Sequence, residues 1–272
     1  MKLALCNEVL RDMAFDRQCA FAAAVGYDGL EVAPFTLAED PLTLSAGDIA
    51  AVRGALAAEG LVCSGLHWLL VAPPGLSITD PDPAVRARTL EALRRLIGLA
   101  AELGAPVLVH GSPKQRMLVS GEASRAQAME ALRAVAEAAE AAGVTYCIEP
   151  LARRETDFIT TLAEAAGIVD AIGSPALRTM LDCCATAHEE GDPVPLIGRY
   201  LPSGHIAHVH VNDPGRRGPG QGSLAFAPIL SALHAHRYDG WISVEPFDYH
   251  PDGPACAARA AGYLRGIREA QT

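Results

Sequence analysis

The 272-residue chain predicts an α/β fold, a single (β/α)8 TIM barrel spanning residues 1–272. Three observations point to it. Strand-like and helix-like segments alternate from end to end and count to eight units, which favours a closed barrel over an open doubly wound sheet. The strand-like runs are short, continuous and apolar, as parallel strands covered on both faces must be. Glycines stand just before the next strand at Gly26, Gly60, Gly104, Gly143 and Gly240, where a left-handed C-cap ends a helix without a Cβ clash.

The elements follow in order. Lys2–Cys6 is an apolar strand, and Phe15–Val25 is a helix closed by Gly26. Gly29–Ala33 is the second strand and Ala46–Glu59 its helix, closed by Gly60. Leu61–Leu69 is a strand, followed by a Pro- and Gly-rich loop over Ala72–Pro83 that suits a cover for the barrel mouth. Pro83–Leu103 is a long amphipathic helix with Leu90, Leu93, Ile97 and Leu103 at near-helical spacing. Pro106–Val109 is a strand and Ser124–Ala142 an Ala/Glu-rich packing helix. Val144–Ile148 and Thr161–Ile172 form the fifth unit, and Arg178–Leu181 with the short helix Pro195–Leu201 the sixth. Ile206–Val211 and Phe226–His236 form the seventh, and Trp241–Val244 and Pro254–Glu269 the eighth.

Composition excludes several classes. The chain is 50% hydrophobic with a net charge of -10, so it can bury a large core but lacks the basic field that nucleic acid or an anionic membrane requires. Its seven cysteines are scattered and form no CxxC pair, which fits reduced thiols in a cytoplasmic protein. The adjacent Cys183 and Cys184 fit packing better than chemistry. The N-terminus lacks a signal-peptide core, and the longest apolar run, near Leu66–Pro74, is too short to span a bilayer.

A barrel carries its chemistry at the C-terminal ends of its strands. The unusual polar residues fall there: Glu31, His67, His110, Glu149, Asp182, the His208/His210 pair and Glu245. Any one of them is equally at home as a satisfied core residue. Two Glu, one Asp and a His at four successive strand ends are different, because gathered carboxylates repel unless a cation binds. That donor set suits one divalent ion, Mn2+, Mg2+ or Co2+. A carboxylate beside such an ion can remove a proton next to a carbonyl. Trp68 can stack on a sugar, and it can equally be core. Lys114 and Arg116 are further polar candidates.

The segments Cys147–Phe158, Leu181–Asp182, His208–His210, Arg216 and Val244–Phe247 resemble the xylose-isomerase-like sugar isomerase/epimerase superfamily over essentially the whole chain, in particular the D-tagatose and D-allulose 3-epimerases and hydroxypyruvate isomerase. The resemblance implies Glu149, Asp182, His210 and Glu245 as metal ligands, with His210 preferred to His208 because Arg216 then keeps the family's six-residue offset. It implies Glu149 and Glu245 as the catalytic pair on opposite faces of the substrate, and Glu155 and Arg216 as substrate-binding residues. His67, Trp68 and His188 are further substrate-binding candidates. One departure stands out: the ketose 3-epimerases carry a substrate-contacting His where this chain has Ala185, and the next His is His188. The Gly/Pro-rich stretch Asn212–Gly222 is closer to the hydroxypyruvate-isomerase type.

The implied activity is a divalent-metal-dependent sugar isomerase or epimerase, a ketose 3-epimerase or a hydroxypyruvate-type isomerase, that abstracts an α-proton and passes through an enediolate. Its substrate would be a small sugar or hydroxyketone, and its assembly a homodimer or homotetramer. Two alternatives remain: a lyase or dehydratase on a keto-inositol or 3-keto-glycoside, which would share the metal and the α-proton abstraction, and an apurinic endonuclease of the same superfamily, which would use a cluster of several zinc ions. A barrel used only for binding would lack the intact four-ligand set.

Overall fold

The computed structural model describes residues 1–271. Eight parallel strands close on themselves in sequence order. They are β1 (Lys2–Cys6), β2 (Gly29–Val32), β3 (Val62–Leu66), β4 (Val107–His110), β5 (Thr145–Ile148), β6 (Leu177–Asp182), β7 (Ile206–Val211) and β8 (Trp241–Val244). Closure is made by β1 on β8, where Lys2 pairs with Trp241 and Leu5 with Val244.

Among the described residues nine α-helices surround the barrel: α1 (Phe15–Val25), α2 (Ala46–Ala58), α3 (Pro83–Leu103), α4 (Glu122–Ala142), α5 (Leu162–Ile172), α6 (Cys183–Glu189), α7 (Pro193–Tyr200), α8 (Phe226–Ala235) and α9 (Gly253–Ala270). None of them is long and apolar enough to cross a membrane. Their starts follow the local chemistry. Asp82, Thr161, Asp192 and Asp252 each accept a first-turn backbone N–H. Ser45 and Asp48 form a reciprocal capping box on α2. The extra helix α6 was not expected, and the following helix begins at Pro193 rather than Pro195. With seven residues α6 is too short to show periodicity, and Asp182, expected only as a ligand, also caps it.

The main core lies between strands and helices, where Leu30, Leu66, Leu93, Leu96, Tyr146 and Phe226 are buried. Alternate side chains on β4–β6 point the other way, and Val107, Val109, Cys147 and Met180 form a small separate apolar cluster inside the barrel. Polar groups take over toward the mouth. The register of β2 on β3 shifts between Leu30 and Glu31, and that of β6 on β7 between Thr179 and Met180. Such irregularities re-aim side chains, and the first lies at a fully buried glutamate facing inward, Glu31.

Ser45→Ala removes half of the solvent-exposed capping box at the start of α2. Urea unfolding is expected to show a loss of about 1 kcal/mol, with metal affinity unchanged.

Candidate active site

Glu149 follows β5, Asp182 ends β6, His210 lies on β7 and Glu245 follows β8. One ligand atom from each lies within 4.8 Å of all the others, and all four residues are buried. The barrel thus brings together the four residues expected to meet.

Each is held from behind. The fully buried Glu31 accepts from both histidines, Oε1 from His210 Nε2 at 3.0 Å and Oε2 from His208 Nε2 at 2.7 Å. That contact turns His210 Nδ1 toward Glu245 Oε2 at 3.0 Å and Glu149 Oε1 at 3.8 Å. Asp182 accepts from the Ala185 N–H at 2.6 Å and from Asn212 Nδ2 at 2.7 Å. Asn212 Oδ1 in turn accepts from the Cys184 N–H at 2.8 Å. The buried Arg116 guanidinium donates to the Glu149 carbonyl at 2.6 Å and the His110 carbonyl at 3.3 Å. A Cβ at Gly111 would fall on Glu149 Oε2, so only glycine leaves room for this carboxylate.

The electrostatics follow from burial and charge. Burial, then the Glu245 charge, raises the Glu149 carboxyl well above the ordinary range. Burial also raises Asp182 and Glu245. Burial pushes His210 down, but the charges of Glu245 and Glu31 outweigh it and hold the imidazole well above its ordinary value. Glu31 is opposite: burial favours its neutral form, yet His208 and His210 hold it well below the ordinary range. Three carboxyls that resist ionisation until a cation arrives, with an imidazole beside them, form a donor set that fits one divalent ion.

Above this centre is a cleft whose empty space, the open solvent at its entrance included, is about 550 Å³. Glu149, Asp182, Glu245, His67, Trp68, Glu155 and Arg216 line it. Arg216 Nη1 donates to Glu155 Oε1 at 3.2 Å, and its guanidinium lies 4.7 Å over the Phe247 ring. Trp68 meets Phe247 edge-on at 6.1 Å. Trp68 (φ 54°) and Arg216 (φ 66°) both adopt the left-handed backbone region, rare for such side chains and recurrent at functional sites. At Arg216 the bend is secured by its carbonyl, which accepts from the Phe247 and Asp248 N–H groups at 2.8 Å each.

Other expectations fare differently. His67 lines the cleft, with Nε2 held by Glu8 Oε2 at 2.8 Å. His188, expected to bind substrate, is not among the lining residues; it sits in the last turn of α6 and its Nε2 is spent on the Pro214 carbonyl at 3.0 Å. His110 faces Tyr146, whose hydroxyl lies 2.7 Å from Nδ1, and burial pushes its pKa down to about 3. Sequence reasoning missed Glu8 and Asn212. The signal for Glu8 was its place just beyond the first strand, the barrel position equivalent to the other site residues.

Fold and mouth define a class: a (β/α)8 barrel whose strands carry, at their C-terminal ends, a buried donor set of two glutamates, one aspartate and one histidine. The chain belongs to the xylose isomerase-like TIM barrel family, whose profile matches residues 19–267. It is 30% identical over 241 residues to a probable ketose 3-epimerase of Synechocystis sp., covering 86% of this chain and 79% of that protein. It is 31% identical over 237 residues to an L-ribulose 3-epimerase of Mesorhizobium japonicum, covering 85% and 75%. A D-psicose 3-epimerase solved in the presence of D-fructose shares the fold with a TM-score of 0.85 at 21% identity, over 98% of this chain and 99% of that one. A 3-keto-D-glucoside 4-epimerase from E. coli gives 0.84 at 21%, over 99% of each. By these names the relatives are enzymes of the isomerase class.

The site's charge pattern sets a pH dependence. A carboxyl raised in the fold keeps a proton that the unfolded chain has already released, so its contribution is present at low pH and lost as pH rises through the raised value. His210 has the same sign, stabilising below the ordinary imidazole pKa and lost above its raised one. Thermal melts of metal-free protein should therefore fall from the ordinary carboxylate range upward. Mn(II) should flatten the fall, and Asp182→Asn, which removes one repelling charge, should raise the neutral-pH melting point of metal-free protein. Gly111→Ala should displace Glu149 and weaken Mn(II) binding by about 10-fold or more in isothermal titration.

Proposed function

We propose that this protein is a divalent-metal-dependent sugar epimerase of the ketose 3-epimerase type. The observation that carries the reading is the placement of Glu149 and Glu245: both line one cleft and both share the donor cluster with Asp182 and His210. The relatives named as ketose 3-epimerases support the same chemistry.

Glu149, Asp182, His210 and Glu245 would hold the ion, and their oxygen-rich set suits Mn2+, Mg2+ or Co2+. When bound, the ion supplies a Lewis acid that polarises the substrate carbonyl and offsets charge developing on its oxygen. The chain's own residues do the rest. Arg216, steadied by Glu155, donates charge-assisted hydrogen bonds to substrate oxygens at the rim. Trp68 and Phe247 present an apolar wall to the C–H face of the sugar. One of Glu149 and Glu245 takes the proton from the carbon next to the carbonyl. The other returns a proton from the opposite face, inverting that centre. Burial raises both carboxyls above the ordinary carboxylate range, the direction that favours proton uptake by a general base.

A larger keto-glycoside, epimerised or cleaved after the same proton removal, is the second reading. It is favoured by Ala185, whose methyl leaves that part of the lining without a hydrogen-bonding side chain.

The test uses Mg(II)-loaded enzyme in D2O with a panel of ketoses and a 3-keto-glycoside, followed by NMR. Deuterium is expected at the carbon next to the carbonyl, together with the epimer. Glu149→Gln and Glu245→Gln should each cut exchange by about 10²–10⁴-fold while retaining the fold. Full exchange in either variant would remove that residue from the mechanism, and elimination products in place of an epimer would favour the second reading.

A further inference from the structure

Beside the proposed metal centre, the ends of β1, β3 and β8 bring together a second group of donors. We propose that Cys6, Glu8, His67 and Glu245 form a second cation site, which adjoins the first through Glu245 and takes a borderline ion of the zinc type. One ligand atom from each of the four lies within 4.8 Å of the others, and all four residues are buried.

The donor chemistry differs from that of the first centre. A thiolate, an imidazole and two carboxylates match the four-coordinate N/S/O surroundings of zinc rather than the oxygen-rich surroundings of magnesium. Bonds of about 2.0–2.3 Å place tetrahedral donors roughly 3.3–3.8 Å apart, so donors within 4.8 Å of one another need close by at most about 1–1.5 Å.

A second observation points the same way. Glu8 Oε1 and His67 Nδ1 are buried without a hydrogen-bond partner, in residues only 6% and 1% exposed. An orphaned buried polar atom costs about 1–3 kcal/mol. The contact of His67 Nε2 with Glu8 Oε2 at 2.8 Å explains one atom of each side chain; His67 Nδ1 lies 3.8 Å from Glu31 Oε1, too far for a hydrogen bond, and Glu8 Oε1 has no hydrogen-bond partner. A bound ion supplies the missing partner.

The scaffold is fixed. Cys6 and Glu8 flank Asn7, whose Oδ1 accepts from the Ala33 N–H at 2.8 Å and whose Nδ2 donates to Gln18 at 2.9 Å. The turn Asn7–Leu10 is entirely buried. A site built on such a locked turn presents its donors without first having to order them.

The site needs no particular substrate and does not rest on the epimerase reading, although it shares Glu245 with that centre. Metal-free protein is titrated with Co(II), followed by absorption and by metal analysis after gel filtration. The full chain is expected to bind about two ions and to develop a thiolate-to-cobalt charge-transfer band in the near ultraviolet. Cys6→Ser should abolish the band and leave about one ion. Asp182→Asn should keep the band while losing the other ion. If Cys6→Ser fails to fold by circular dichroism, His67→Gln carries the test and should lose the band-bearing ion. A wild-type protein without the band, a band that survives Cys6→Ser, or a folded His67→Gln that keeps both ions overturns the proposal. Failure of the first centre has a separate signature: Asp182→Asn would leave the metal content unchanged whatever happens to the band.

Discussion

Three carboxylates converge, buried, at the barrel mouth, and most of the surrounding structure answers that repulsion. Two like charges about 4 Å apart cost about 4 kcal/mol at an effective dielectric of 20. Glu149, Asp182 and Glu245 stand within such reach of one another and of His210. The strands leave them no escape, because each follows or ends a short strand locked into a closed barrel. The raised carboxyl pKa values express the same conflict. A cation resolves it, and so the fold and the proposed chemistry are one problem.

The neighbouring residues orient the cluster and offset part of its charge. Glu31 grips His210 and His208 from inside the barrel and leaves His210 Nδ1 facing the mouth. Asn212 ties Asp182 to the start of α6, and Asp182 caps that helix itself. Arg116 uses its hydrogen bonds on two carbonyls, so it braces the backbone on which Glu149 stands. At the rim, Trp68 and Arg216 hold unfavourable backbone angles, which persist because the surrounding contacts over-determine them.

The eight-fold alternation and the four residues at successive strand ends were legible in the sequence, because both are periodic or positional signals that survive without tertiary information. Residues whose role depends on a partner far along the chain were not. Glu31 stands out as a polar residue at a strand end, but its partners His208 and His210 lie 177 and 179 positions away, and nothing local to β2 announces that it holds them. Glu8 lies in a short turn after β1 and acquires a partner only when His67 arrives from β3. Arg116 resembles a loop cation until burial is known. His188 shows the reverse: near Asp182 in sequence, it is the sixth residue of α6, and its Nε2 meets the Pro214 carbonyl.

The central claim is that the four strand-end residues exist to hold one divalent ion on which the chemistry depends. Anomalous diffraction from a crystal soaked in Mn(II) tests it most directly. The account predicts a manganese peak bonded to Glu149, Asp182, His210 and Glu245 together. A well-ordered mouth with these side chains as described and no manganese peak among them, at saturating Mn(II), would contradict it.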